Sequence, residues 1–126
     1  MEPEYPYAIN PDVMFAGLQR VDVPALAAGV TDFWFNQALC RVNDCEVCLG
    51  VFAGGTFHWH KHDEEDEFFF VLEGSFTIET ERDSVTLTKH QGYLVPRGVL
   101  HRTSAPEPAT ILMLGAASTA CTRGDA

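Results

Sequence analysis

From Phe33 onward the chain is a succession of short apolar or alternating runs. They are separated by Asn43-Asp44, Gly54-Gly55, Gly74, Arg82-Asp83, His90-Gln91-Gly92, Pro96-Arg97-Gly98 and Pro106-Glu107-Pro108. Runs of this length between turn-forming residues predict strands, and their close spacing predicts an all-β sandwich or barrel. One short N-terminal helix is expected: Asp22 caps it, Pro24 suits its first turn, and Ala25-Leu26-Ala27-Ala28 carries it to Gly29. Residues 1–16 hold three prolines and two tyrosines without periodicity, which suits an extended arm lying against the β-structure. The expected organisation is an arm over residues 1–17 and a single domain over residues 18–126.

Side chains alternate between the two faces of a strand. In the run from Glu67 to Leu72, Glu67, Phe69 and Val71 therefore share one side, and Phe68, Phe70 and Leu72 share the other. Both sides are apolar, and a monomer rarely leaves a large apolar patch in water. A second copy of the chain, forming a homodimer, is the first expectation for the cover of the outer face. The arm is the alternative, and the two can act together.

Composition narrows the function classes. A chain of 126 residues is the size of one domain with one core. Its net charge of -10, with only eight Lys and Arg, argues against a nucleic-acid partner, because gripping phosphate backbones requires concentrated basic residues. No apolar run approaches the roughly 20 residues of a membrane span, and Met1-Glu2-Pro3-Glu4-Tyr5 lacks the basic and apolar regions of a signal peptide. The expectation is a cytoplasmic protein without a membrane partner. Among the four cysteines, Cys45 and Cys48 form a C-x-x-C. On a strand residues three apart point to opposite faces, so free thiols are expected there rather than a zinc or redox pair.

The segment from Gly54 to Gly74 carries the chemistry. His58, His60 and His62 alternate, an acidic loop Asp63-Glu64-Glu65-Asp66 follows, and Glu67 opens the next strand. On an extended backbone the three imidazoles face one way, and Glu67 returns from the loop to meet them. A further histidine, His101, follows the turn Pro96-Arg97-Gly98. Imidazole and carboxylate donors together suit a divalent transition metal: Fe(II), Mn, Ni, Zn or Cu. Taken singly, an H-x-H-x-H run is equally a solvated loop, and a histidine beside a turn is equally a surface residue. The acidic loop reads first as a solvated turn, and second as the place where Glu65 or Asp66 orients a histidine. Trp59 and Lys61 should face away from the ligands. Arg97 and Arg102 flank His101 and serve either surface ion pairs or attraction of an anionic substrate.

These residues resemble the cupin superfamily, over nearly the whole chain from about Leu18. The first cupin motif has the form G-x5-H-x-H-x3,4-E-x6-G, and Gly54, His60, His62, Glu67 and Gly74 satisfy every spacing. The second is similar to Pro96-Arg97-Gly98-Val99-Leu100-His101, with a leading glycine at Gly92 two residues closer to the proline than the consensus and Ala105 where an asparagine usually stands. The nearest likeness is to single-domain, cupin-2-type proteins, RmlC-like in fold. The resemblance implies a jelly-roll (double-stranded β-helix) barrel, in which His60, His62, Glu67 and His101 bind one metal near the open end. Four protein ligands on an octahedral ion leave about two positions for water, substrate or dioxygen.

His58 departs from the usual pattern, in which an apolar or small residue precedes the ligand pair. It is either a polar wall residue that meets a bound ligand or proton, or a structural histidine hydrogen-bonded to its neighbours. A shift of the metal onto His58 and His60 would break the match to Gly54 and Glu67. Proteins resembling one another in this fold perform dioxygenation, decarboxylation, isomerisation, lyase chemistry or plain binding. The leading expectation is a metal-dependent enzyme acting on a small-molecule substrate, with His58 and Tyr93 as candidate proton-transfer groups. The alternative is a non-catalytic binding or sensing module with a structural metal. The interior discriminates: a roomy polar pocket favours the enzyme, and a barrel plugged by phenylalanines favours the module. Phe52, Phe69, Phe76 and Leu114 are the expected fillers, and nine phenylalanines predict a narrow cavity.

Overall fold

The computed structural model describes residues 7–116. The first six residues of the expected arm, and residues 117–126 of the expected domain with Cys121, lie outside the described residues. Ten strands and one helix follow in chain order. They are β1 (Tyr7–Asn10), α1 (Val23–Ala28), β2 (Trp34–Val42), β3 (Cys45–Phe52), β4 (Gly55–Thr56) and β5 (Glu67–Glu73). Then come β6 (Ser75–Thr80), β7 (Ser84–Thr88), β8 (Gly92–Val95), β9 (His101–Ala105) and β10 (Ala109–Ala116). A six-stranded sheet runs β1-β2-β3-β10-β5-β8, and a four-stranded sheet runs β4-β9-β6-β7.

The expectation of a closed barrel needs correction. No strand is shared between the two sheets, so the architecture is a β-sandwich whose walls meet through side chains rather than through a continuous hydrogen-bond ladder. The shortness of β4 and of β8, which stand at edges of their sheets, limits pairing where closure would occur. Helix α1 begins at Asp22, whose carboxylate accepts the Ala25 N–H at 3.1 Å, and it buries no residue. It forms no layer of its own. The described part of the arm does lie against the sheet: β1 pairs parallel to β2, and the N–H groups of Met14 and Phe15 donate to Ala38 and Leu39 at 3.1 and 2.8 Å.

Alternation decides what fills the sandwich. Glu67, Phe69 and Val71 of β5 are buried, whereas Phe68 is 36% exposed. On β10, Ile111 and Met113 face inward, and Leu114, expected as a filler, falls on the outer face because it is one residue out of phase with them. Trp34 stacks on Phe52 at 3.9 Å between ring centroids, and Phe76 lies 5.5 Å from Phe52 and 5.9 Å from Phe69. This aromatic column is the floor on which the site rests. Cys48 is buried and Cys45 exposed, as opposite faces of β3 require.

Candidate metal centre

Two segments some forty residues apart in sequence are joined by their main chains. His60 and His101 exchange N–H···O bonds of 2.9 Å in both directions, and the Gly98 N–H donates to the His62 carbonyl at 2.8 Å. Gly98 adopts a positive φ of 76°, which a residue without Cβ accommodates without strain and which turns the chain into β9 behind Pro96. Gly74 does the same after β5 at φ 79°, where an added Cβ would collide with the Pro108 carbonyl. Glu67 arrives as the first residue of β5, paired with Val95 at the end of β8.

The side chains of His60, His62, Glu67 and His101 are buried, and one ligand atom from each lies within 4.8 Å of all the others. The Nδ1 atoms of His60 and His101 sit 2.9 Å from the carbonyl oxygens of His58 and Val99. A carbonyl only accepts, so each Nδ1 carries the hydrogen, and in the neutral rings each Nε2 keeps its lone pair. His62 Nε2 is 3.4 Å from Glu67 Oε1, and His101 Nε2 is 3.8 Å from the same oxygen. The second distance exceeds hydrogen-bond reach, so that contact is electrostatic. Glu67 Oε1 and His101 Nε2 are both buried without a hydrogen-bond partner. Four potential ligand atoms thus converge, and a dication fits that arrangement.

Electrostatics agree with this. Burial, followed by the neighbouring His101 ring, pushes His60 from 6.5 down to about 4, against the opposing pull of the His58 carbonyl and Glu67. The ring is neutral, as a metal ligand must be. Burial alone would raise Glu67, but the facing His101 and His62 rings outweigh it and hold the carboxyl below its ordinary value.

The remaining expected residues fall into place around this set. His58 contributes its carbonyl to orient His60, while its ring lies 5.3 Å from the His60 ring and 4.2 Å from Phe57. Tyr93, on β8 opposite Phe69, packs against the core. Asp66 meets no histidine: its carboxylate accepts the Arg97 N–H at 2.9 Å and the guanidinium at 3.3 Å, clamping the acidic loop to the turn ahead of His101. Arg97 first, through these hydrogen bonds, lowers the Asp66 carboxyl. Arg102 pairs with Glu79 at 3.0 Å and stacks on Trp59 at 4.9 Å, and Lys61 pairs with Asp63. Both arginines are engaged in ion pairs.

Beside His60 and Glu67 the interior narrows to a void of about 20 Å³. Phe52, Phe57, Phe69 and Phe76 line it, together with Trp34 and Asn36. Trp34, Asn36 and Phe57 escaped the sequence reading. Trp34 and Asn36 stand two apart on β2, but nothing in the sequence indicates which face of β2 meets the ligand-bearing segment.

Residues 50–115 match the family described as the cupin domain. Among curated proteins, the uncharacterized protein YdbB of Bacillus subtilis (strain 168) is 38% identical over 80 residues, covering 63% of this chain and 70% of that protein. Among solved structures, a cupin-2 domain containing protein from Shewanella frigidimarina NCIMB 400 is similar with a TM-score of 0.69 and 28% identity. That likeness covers 75% of this chain and 91% of the other. KdgF from Halomonas sp. shares the fold, with a TM-score of 0.60 and 22% identity over 64% of this chain and 76% of its own. With both motifs inside the matched span and their histidines and glutamate brought to one point, this chain belongs to the cupin family, as a protein of the cupin-2 type.

Proposed function

We propose that His60, His62, Glu67 and His101 hold one divalent transition metal and that the protein is a metal-dependent enzyme acting on a small molecule. The observation that carries this reading is the pair of buried, unpartnered atoms Glu67 Oε1 and His101 Nε2, 3.8 Å apart. A cation between these two buried atoms would supply the partner that each lacks. The donor set suits Fe(II), Mn, Ni, Zn or Cu. Such an ion supplies a Lewis acid, or a place to activate dioxygen, when bound. Around it, the carbonyls of His58 and Val99 orient two ligand rings. The His58 ring is the candidate for taking and returning a proton, with Tyr93 as the second candidate. Dioxygenase, isomerase, lyase and decarboxylase chemistry are all compatible with this set.

The small interior favours a second reading, in which the domain captures or senses a small ligand and its metal is structural. A void of about 20 Å³ leaves little room for a substrate beneath the ligands. Elemental analysis of the purified protein, before and after reconstitution, tests the part common to both readings. Protein that holds no transition metal in either state would refute both. Dioxygen consumption and product formation across a small-metabolite screen then separate the enzyme from the module.

The same proposal includes a cytoplasmic homodimer, with residues 1–17 as an arm on a domain spanning 18–126. The free thiols of Cys40 and Cys45 suit a reducing compartment. Phe68 and Leu94, 36% and 53% exposed on the outer face of the six-stranded sheet, are the natural dimer contacts. Light scattering should report twice the chain mass for the wild type and the monomer mass for Phe68→Glu.

A further inference from the structure

The void beside His60 and Glu67 is large enough for one water-sized group, since a space of about 10–15 Å³ suffices when two to four polar partners surround it. Its lining is mostly aromatic, yet three of its residues carry buried polar atoms without partners: Trp34 Nε1, Asn36 Oδ1 and Glu67 Oε1. Trp34 and Asn36 are 2% and 5% exposed. An unpaired buried polar group is destabilising, and apolar side chains of the same shape would be the more stable filling. The pair therefore reads as serving an occupant.

The chemistry of the three atoms defines that occupant. The indole N–H only donates and the carboxylate only accepts, while the Asn36 amide does either, according to its rotation. With the Asn36 amide rotated to present its NH2, one oxygen bearing a hydrogen satisfies all three, accepting from Trp34 and Asn36 and donating to Glu67. A carboxylate has no hydrogen to donate, an ammonium has no lone pair to accept with, and an apolar group does neither. We propose that Trp34 and Asn36 form a subsite for the hydroxyl group of a small-molecule ligand, a place that water keeps in the ligand's absence. The proposal rests on the reading of the neighbouring cluster as the metal and ligand site.

The test uses ¹⁵N-labelled full-length protein reconstituted with zinc, which is diamagnetic, with acetate and glycolate as probes. Glycolate differs from acetate by one hydroxyl. The chain has two tryptophans, and Trp34→Phe identifies their indole N–H signals. The expected result is a water contact at the Trp34 indole, a saturable shift of that signal with glycolate, and none with acetate at equal concentration. Asn36→Leu and Trp34→Phe should each weaken glycolate binding at least tenfold at unchanged zinc content. Equal affinity for the two acids, or variants that bind glycolate like the wild type, would overturn the subsite. A Trp34 indole that contacts water but responds to neither acid also overturns it, leaving a structural water. Zinc content read in parallel separates the two ideas: protein that takes up no zinc removes the metal centre, whereas zinc-loaded protein indifferent to glycolate removes the hydroxyl subsite alone.

Discussion

Acidifying the metal-free protein from pH 7 to pH 5 should remove about 2 kcal/mol of folding stability through His60 alone. Burial and the adjacent His101 ring hold this imidazole near 4 in the fold, against 6.5 in the open chain. Each pKa unit corresponds to about 1.36 kcal/mol, so the whole shift amounts to roughly 3 kcal/mol. The folded value is depressed, so the unfolded chain binds the extra proton. The contribution is complete above pH 6.5 and is lost as pH falls towards 4. At pH 5 the unfolded ring is almost fully protonated and the folded ring almost fully neutral, which gives the figure of about 2 kcal/mol. Glu67, also lowered in the fold, acts with the same sign at more acidic pH. The assay is urea unfolding with chelator present, at half-unit steps from pH 7.5 to 4.5, on the wild type and on His60→Gln. The variant should lack the step between pH 6.5 and 5, whatever its absolute stability. Superimposable slopes for the two proteins over that interval would refute the burial argument.

Four further outcomes follow from the geometry. His101→Ala should reduce metal affinity by at least about 100-fold, more than the loss of an orienting partner costs, with an unchanged far-ultraviolet circular dichroism spectrum; elemental analysis after dialysis reads it. Phe76→Ala, which empties a 1% exposed position in the aromatic column, should cost about 3–5 kcal/mol in chemical denaturation. Gly98→Ala should cost roughly 1–2 kcal/mol of left-handed strain, because a Cβ there meets nothing within 4 Å. Gly74→Ala adds the collision with the Pro108 carbonyl and should melt well below it in a thermal scan.

The buried cluster of His60, His62, Glu67 and His101, which could hold a metal, was legible because its information is local. The spacing from Gly54 to Gly74 fixes which residues leave the strand ends together, and the turn at Pro96–Gly98 marks His101. Phases along single strands were legible for the same reason, as Glu67, Phe69 and Val71 illustrate. What alternation could not supply was the conformation of residues 57–59, which fall outside regular strand. Phe57 therefore enters the core while His58 turns its carbonyl to His60, and the even row of three equivalent imidazoles expected from spacing becomes two clustered rings and an orienting backbone. Strand pairing across long loops was equally hidden. Asp66 was assigned to a histidine or to solvent, yet its partner Arg97 lies thirty-one residues away, and Trp34 and Glu67 come to line one void only because β2 and β5 belong to the same sheet. Closure of the barrel depends on edge strands whose lengths hydrophobic patterning does not determine.

The reciprocal bonds between His60 and His101 use only amide and carbonyl groups, which every residue except proline supplies in full. The two motif-bearing segments are thus held together independently of the rings they carry. Replacing either ring therefore removes a donor atom from the cluster while leaving these main-chain bonds in place.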